Sequence, residues 1–213
     1  WDNFLVAAEK CHQAGMPFAL AVSNNGDAVD WVGCLFAAFG APLMAANSTL
    51  NISSAPVRAV LDYAAKLTRF LPEGVYGWDG SSNNRALISG KSALIFDAPS
   101  AWSVARKDAP EVARNCWGFP NPAGSAGRFV PYNSQYWGVW DFAPNKSAAK
   151  DLIEFLSQRE QVEQTVTASN GYDIPPFPAM TDFRIWETIG PPTGVWYNYP
   201  IKPFHNSQPS VAA

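Results

Sequence analysis

The sequence predicts an α/β layer structure, and three observations carry that prediction. Short, continuously apolar runs such as "FALAV" (18–22) and "SALIFD" (92–97) alternate with stretches whose apolar residues recur at helical spacing. Clusters of Asn, Gly, Ser and Pro separate the two kinds of segment. A length of 213 residues suffices for a sizeable core, so one α/β domain over residues 1–213 is expected, with a short mixed sheet flanked by helices.

Taken in order, "WDNFLVAAEKCHQAG" reads as a helix, with Phe4, Leu5, Ala8 and Cys11 on one side and Gly15 and Pro17 as its stop. The chain is already helical at its first residues with no cap before them. It is therefore expected to be a piece of something longer, with any targeting segment elsewhere. "FALAV" is a buried strand, "SNNGD" a turn whose Asp27 caps a helix over 28–39, and Gly40 closes that helix. The cleanest periodicity places Val57, Val60, Leu61, Ala64, Leu67, Thr68 and Leu71 on one face, with Ser53 or Ser54 as cap and Pro72 as terminator. "WDGSSNNRALIS" is a turn and short helix, and "SALIFD", apolar without alternation, is expected to be a central strand.

Beyond it, a helix is expected over 99–107, a strand at "CWGFP", a loop over 120–131 and a strand at "QYWGVWD". "NKSAAKDLIEFLS" is a capped helix with Ala149, Leu152, Ile153 and Leu156 inward, followed by a second helix ending at Asn170 and Gly171. From Tyr172 onward, loops and one short helix are expected.

Composition narrows the function. A net charge of -3 without basic clusters excludes an electrostatic footprint for nucleic acid or anionic lipid, and no window approaches the roughly 18 apolar residues of a membrane span. Cys11, Cys34 and Cys116 lack zinc or redox spacing and read as buried thiols, although one disulfide with one free thiol is also compatible. Two histidines and no Gly-x-Ser-x-Gly elbow leave no catalytic triad. Nothing in the spacing of Asp79 with Asp97, or Glu160 with Glu163, selects a glycosidase pair over surface charges. "DGSSNN" spaces Asp79, Ser81 and Asn83 like a calcium loop, but Gly90 stands where the closing acid is needed, so a turn with a helix cap fits better. No metal or cofactor is expected.

Aromatic content stands out, with 9 Trp, 7 Tyr and 13 Phe, many of the Trp beside polar residues. Flat faces combined with Asp, Asn, Gln and Ser suit a neutral polyhydroxylated ligand, although each Trp is about as often core as platform.

The order of these segments resembles the extracellular solute-binding proteins of ABC importers, the family-1 sugar-binding group related to maltose-binding protein. The residues that carry the resemblance are "WDNFLVAAEKC", "TLNISSAPVRAVLDYAAKL", "SGKSALIFDAPSAW" and "YWGVW…NKSAAKDLIEFLSQREQ", in that order, from Trp1 to about Pro178. The resemblance implies a type II periplasmic-binding-protein-like lobe. It also implies that this chain is mainly the second, C-terminal lobe of a two-lobe protein, with the first lobe and C-terminal helices outside it. Where the family often has a small-residue approach to the ligand, Asn133 and Ser134 make the wall bulkier and more polar.

Open α/β sheets bind ligands beyond the carboxyl ends of their strands, where helices begin. On that rule Asp97, Ser100 and Trp102 converge on one spot, joined by Tyr136, then Trp137, and by Asn133, Ser134 and Trp31. The function expected is a non-catalytic, monomeric solute-binding component of an ABC transporter, periplasmic or extracellular, which hands a carbohydrate or related small polar solute to the transmembrane permease subunits. The alternatives are a glycoside hydrolase-like carbohydrate-active enzyme, a protein-interaction module or, within the binding class, a polyamine or other small-solute receptor. For a polyamine, Asp30 and Asp97 are the obvious carboxylates.

Overall fold

A computed structural model of the chain describes residues 1–98, 100–132, 136–171, 173, 175, 177–180, 182–185 and 202–205. Helix α1 (Asp2–Gln13) opens the chain, and Trp1 immediately before it is a packing centre. Its ring meets Phe4 and Tyr63 edge-on and stacks on Phe96. Its backbone nitrogen donates to the Ala123 carbonyl at 2.8 Å, and its own carbonyl accepts from the Tyr63 hydroxyl at 2.8 Å. Residues remote in sequence are thereby fixed to one point.

Helix α2 (Gly26–Ala38) is capped by Asn25 rather than Asp27. Asn25 has the extended backbone a cap requires, and its side-chain oxygen accepts from Ala28 N at 2.9 Å, which leaves Asp27 inside the first turn. Gly40, at φ 62, closes the helix. Helix α3 (Ala55–Leu67) buries Val57, Val60, Tyr63 and Leu67, as a stripe of period 3.6 should. Leu61, expected on that face, is exposed, and Tyr63 takes its share of the core. Ser54 is the cap residue by position but makes no side-chain cap bond, and a 3-10 turn over Thr68–Phe70 separates α3 from Pro72.

The apolar runs 18–22 and 92–97 lie side by side, but only one parallel bridge, Ala19 to Ile95, joins them, with Ala19 N donating to Leu94 O at 2.8 Å. Phe18, Ala19, Leu20 and Ala21 are buried, so the apolar run is explained by burial although the full central strand is not formed. Helix α4 (Ser82–Ile88) precedes the second run, and α5 (Ser100–Asp108) and α6 (Pro110–Arg114) follow it.

The regular sheet lies elsewhere. β1 (Ala123–Gly124) pairs antiparallel with β2 (Gly127–Tyr132), which pairs in parallel with β3 (Lys202–His205). The sheet is thus short and mixed, but it falls where a loop was expected over 120–131, while "CWGFP" and residues 136–141 of "QYWGVWD" form no strand. Pro131 misleads in the sequence: β1 reaches only to Arg128, so the missing N–H removes no hydrogen bond on that side. In "QYWGVWD", Tyr136, Trp137 and Trp140 are all exposed, so the segment has no buried face to hold a strand in place.

Helices α7 (Lys146–Leu156) and α8 (Arg159–Ala168) complete the described helices, with Asn170 and Gly171 at positive φ beyond α8 as expected. Ala149, Ile153 and Leu156 are half-buried and Leu152 is exposed, so α7 lacks the inward face expected of it. Most of the chain after Tyr172 falls outside the described residues. The three cysteines are free thiols; Cys34 is buried, and that burial, with the charge of Asp30 adding to it against a hydrogen bond from Asn121, pushes its pKa up to about 12.

Candidate ligand-binding rim

Because the runs 18–22 and 92–97 are parallel, their carboxyl ends lie on the same side, and a helix starts just beyond each. Polar side chains gather there. The Ser23 hydroxyl donates to the Trp78 carbonyl, and the Asn25 amide donates to Ser23 Oγ at 2.9 Å and to Trp78 O at 3.4 Å. Asn83, fully buried on α4, donates to Phe96 O at 3.3 Å and fixes the end of the second run. A polar residue at 0% exposure is tolerated because its amide is bonded.

Asp97 follows directly. One carboxyl oxygen accepts from Ala98 N at 2.6 Å, while the other is shut from solvent without a partner. Asp27 on α2 likewise keeps one buried, unpartnered oxygen, and it lies against the 79–80 turn. Burial raises the pKa of Asp97 to about 7; the charges of Asp27 and Asp30 add to the rise, and the Ala98 N–H opposes it. Asp27 is also raised by burial, against a hydrogen bond from Asn83. The rim thus presents carboxyl oxygens that no protein donor meets.

The aromatic residues expected at the site divide. Trp102 is 8% exposed, packed with Ala105 and Ala113; its indole N–H donates to Ala113 O at 3.1 Å, and the Arg106 guanidinium lies 5.1 Å from the ring centroid. It joins α5 to α6 and offers no open face for stacking. Trp31, 4% exposed, donates to Ala21 O at 2.8 Å and ties α2 to the first apolar run. Both rings are buried in this chain for one reason: an indole at a helix face beside an apolar run is drawn into the core if its N–H finds a carbonyl. Ser100 is half-buried at the start of α5, three positions after Asp97. Tyr136 and Trp137 are 88% and 65% exposed on the separate segment 136–142, where Trp140 stacks on Phe142 at 5.4 Å. Asn133 and Ser134 lie outside the described residues.

The calcium-like loop is a helix start. Asp79 accepts from Ser81 N, Ser81 Oγ and Ser82 Oγ, each at 2.9 Å, and pairs with Arg85 at 3.0 Å, which together hold its carboxyl well below the usual range. Among the described residues no group of three or more His, Cys, Asp or Glu could hold a metal ion. A surface groove of about 540 Å³ between α4 and α5, lined by Asn84, Arg85, Val104 and Asp108 among others, is open to solvent and contains neither Asp27 nor Asp97.

Sequence reasoning missed Ser23, Asn25, Asp27 and Asn83 as rim residues. Their signal was present, since "SNNGD" and "SSNN" are polar clusters adjoining an apolar run and a helix, but turn chemistry explained them equally well.

Residues 1–191 match the bacterial extracellular solute-binding protein family. No curated protein matches the chain. Among solved structures, maltose-bound MalE3 from T. maritima is similar at a TM-score of 0.73 and 23% identity, over 86% of this chain and 50% of that one. A second, described as an oligosaccharide periplasmic-binding protein from Synechococcus sp. MITs9220, is similar at a TM-score of 0.61 and 15% identity, over 87% of this chain and 51% of that one. The chain therefore spans about half the length of these solved relatives and shares their α/β fold. With the match extending over most of its length, this chain belongs to the bacterial extracellular solute-binding protein family.

Proposed function

We propose that the chain is mainly the second lobe of a solute-binding component of an ABC transporter, and that its rim holds a carbohydrate or related small polar solute between two lobes for delivery to the membrane permease. Closure around the solute would produce the form that the permease reads. The observation that carries this reading is the acceptor surplus at the ends of the two parallel runs. Asp27 and Asp97 retain oxygens with no protein donor, and a sugar offers several hydroxyl donors in a small volume. The exposed rings of Tyr136 and Trp137 supply flat faces of the kind sugar rings stack on. The similarity to a maltose-bound structure favours the same ligand class. The protein acts as a periplasmic or extracellular monomer, associated with the membrane through its permease, and performs no catalysis.

A polyamine receptor is the second reading, favoured by the proximity of Asp27 and Asp30 to Asp97. Thermal unfolding of the chain in the presence of sugars, polyols, amino acids and polyamines decides between them, since a ligand that binds the folded state raises its stability by mass action. A rise with sugars is expected. A rise with polyamines alone would overturn the carbohydrate reading, and turnover of any glycan in the same panel would overturn the non-catalytic one.

A further inference from the structure

Two Asn-Gly pairs occur in the sequence, Asn25–Gly26 and Asn170–Gly171, and the fold treats them differently. In such a pair the glycine nitrogen, with no Cβ beside it, can reach the side-chain carbon of the asparagine before it. At the second pair that nitrogen is engaged. Gly171 N donates to Val166 O at 2.8 Å in the turn that ends α8, and Gly171 is buried. The Asn170 side chain is held as well, donating to Ser103 Oγ at 3.3 Å and accepting from Arg106 at 3.4 Å. The first pair lies at the opposite end of a helix. Gly26 is the first residue of α2, where an N–H has no carbonyl partner within the helix. It is exposed, with nothing within 4 Å of the place a Cβ would take. The Asn25 side-chain oxygen accepts from Ala28 N at 2.9 Å, so the atom on which negative charge gathers during attack already faces a donor at the positive end of α2.

We propose that Asn25–Gly26 is a self-modification site of the folded chain, at which the asparagine loses ammonia and becomes aspartate or isoaspartate, while the fold seals Asn170–Gly171 against the same reaction. Gly26 N attacks Asn25 Cγ, and the new N–C bond closes a succinimide ring. The Cγ–Nδ2 bond breaks, and its nitrogen leaves as ammonia with the proton that Gly26 N gives up. Water then opens the ring at one carbonyl or the other.

The products differ from asparagine where the rim is tied together. The Asn25 amide donates to Ser23 Oγ at 2.9 Å and to Trp78 O at 3.4 Å, and an ionised carboxyl cannot donate to either. Aspartate still caps Ala28, since it serves as well as asparagine at a helix start. Isoaspartate threads the backbone through the former side chain and so removes the capping oxygen. Either product places a second acid two residues before Asp27 and loosens the loop after the first apolar run from Trp78. The consequence for affinity rests on the solute-binding reading; the modification itself does not.

The test incubates the full chain in mildly alkaline buffer, folded and in urea, and follows both pairs by peptide mass mapping that separates aspartate from isoaspartate. In urea the two pairs should react at similar rates. In the folded chain Asn25 should react about tenfold faster than Asn170, which is released only by local opening. Gly26→Ala, which has open space for its Cβ, should slow the reaction at Asn25 about tenfold without lowering the thermal midpoint. The separated isoaspartate form should exchange its Ala28 amide faster than Asn25→Asp does, because only the latter keeps the cap. A folded chain that stays unmodified at Asn25 while both pairs react in urea overturns the proposal. So does equal reaction at the two pairs in the folded chain, or a rate at Asn25 that Gly26→Ala leaves unchanged. If the modification runs as expected and no sugar raises the thermal midpoint, the solute reading fails and the modification site stands.

Discussion

Helices α3 and α7 carry similar sequence patterns and have opposite fates. Both are amphipathic over three turns, yet α3 buries Val57, Val60, Tyr63 and Leu67 in the cluster with Phe18, Leu20 and Leu35, whereas α7 buries no residue and leaves Leu152 and Phe155 about half exposed. The difference lies in the partners. α3 faces an aromatic centre built by Trp1, Phe4 and Phe96 from two separate parts of the chain, while α7 makes its described contacts chiefly with α8. A helical stripe of apolar residues specifies that a face wants covering, and the rest of the fold decides whether it is covered.

The sharpest way to test this contrast is to remove a side chain from the packed region. Phe18 is fully buried and meets Phe4 edge-on at 4.9 Å, so Phe18→Ala should destabilise the chain by about 3 to 5 kcal/mol in urea unfolding. A loss below about 1 kcal/mol would show that this core relaxes freely around a cavity. Gly124 tests the same region by addition. Its Cα lies so close to the end of α2 that a Cβ would drive into the Ala38 carbonyl, which also accepts from Ala126 N at 2.9 Å. Gly124→Ala should therefore cost roughly 1 to 3 kcal/mol through displacement of the β1–β2 hairpin from α2, measured by the same unfolding experiment.

This contrast also explains what the sequence made legible. Helices α1 to α5 were readable because their stripes, turns and glycines act locally, and the buried character of 18–22 was readable from five apolar residues in a row. The β1–β2 hairpin was not, because Gly124 and Gly127 signal a loop until the closeness of α2 is known. At the site, Asp97 and Ser100 could be placed by the rule that ligands gather where strands end and helices begin. The surroundings of Asp97 could not, since Asp27, whose charge acts on it, and Asn83, which bonds the Phe96 carbonyl before it, come from segments 70 and 14 residues away in the chain and look like ordinary turn residues. The burial of Trp102 and Trp31 was not legible for a related reason: a tryptophan next to polar residues can face solvent or bond a backbone carbonyl, and only the positions of Ala113 and Ala21 show the carbonyls that these two bond.

Smaller effects refine the comparison. Asn25 caps α2 through Ala28 N and also bonds Ser23 and Trp78, so Asn25→Ala should lower stability by about 1 kcal/mol and loosen the rim, whereas Asp27→Ala should leave the cap intact. Amide exchange at Ala28 separates the two.

The smallest effect is expected where the pattern promises most. Leu152 lies on the apolar stripe of α7, in the position that Val60 holds on α3, but it is 54% exposed where Val60 is 1% exposed. Truncating an exposed leucine removes little surface from contact and leaves no cavity, and alanine is the better helix former. Leu152→Ala should therefore change stability by less than about 0.5 kcal/mol, while Val60→Ala should cost several times more, both read from the midpoint of urea unfolding. A loss at Leu152 as large as that at Val60 would mean that the stripe of α7 is covered in the folded chain after all, and the difference between the two helices would disappear.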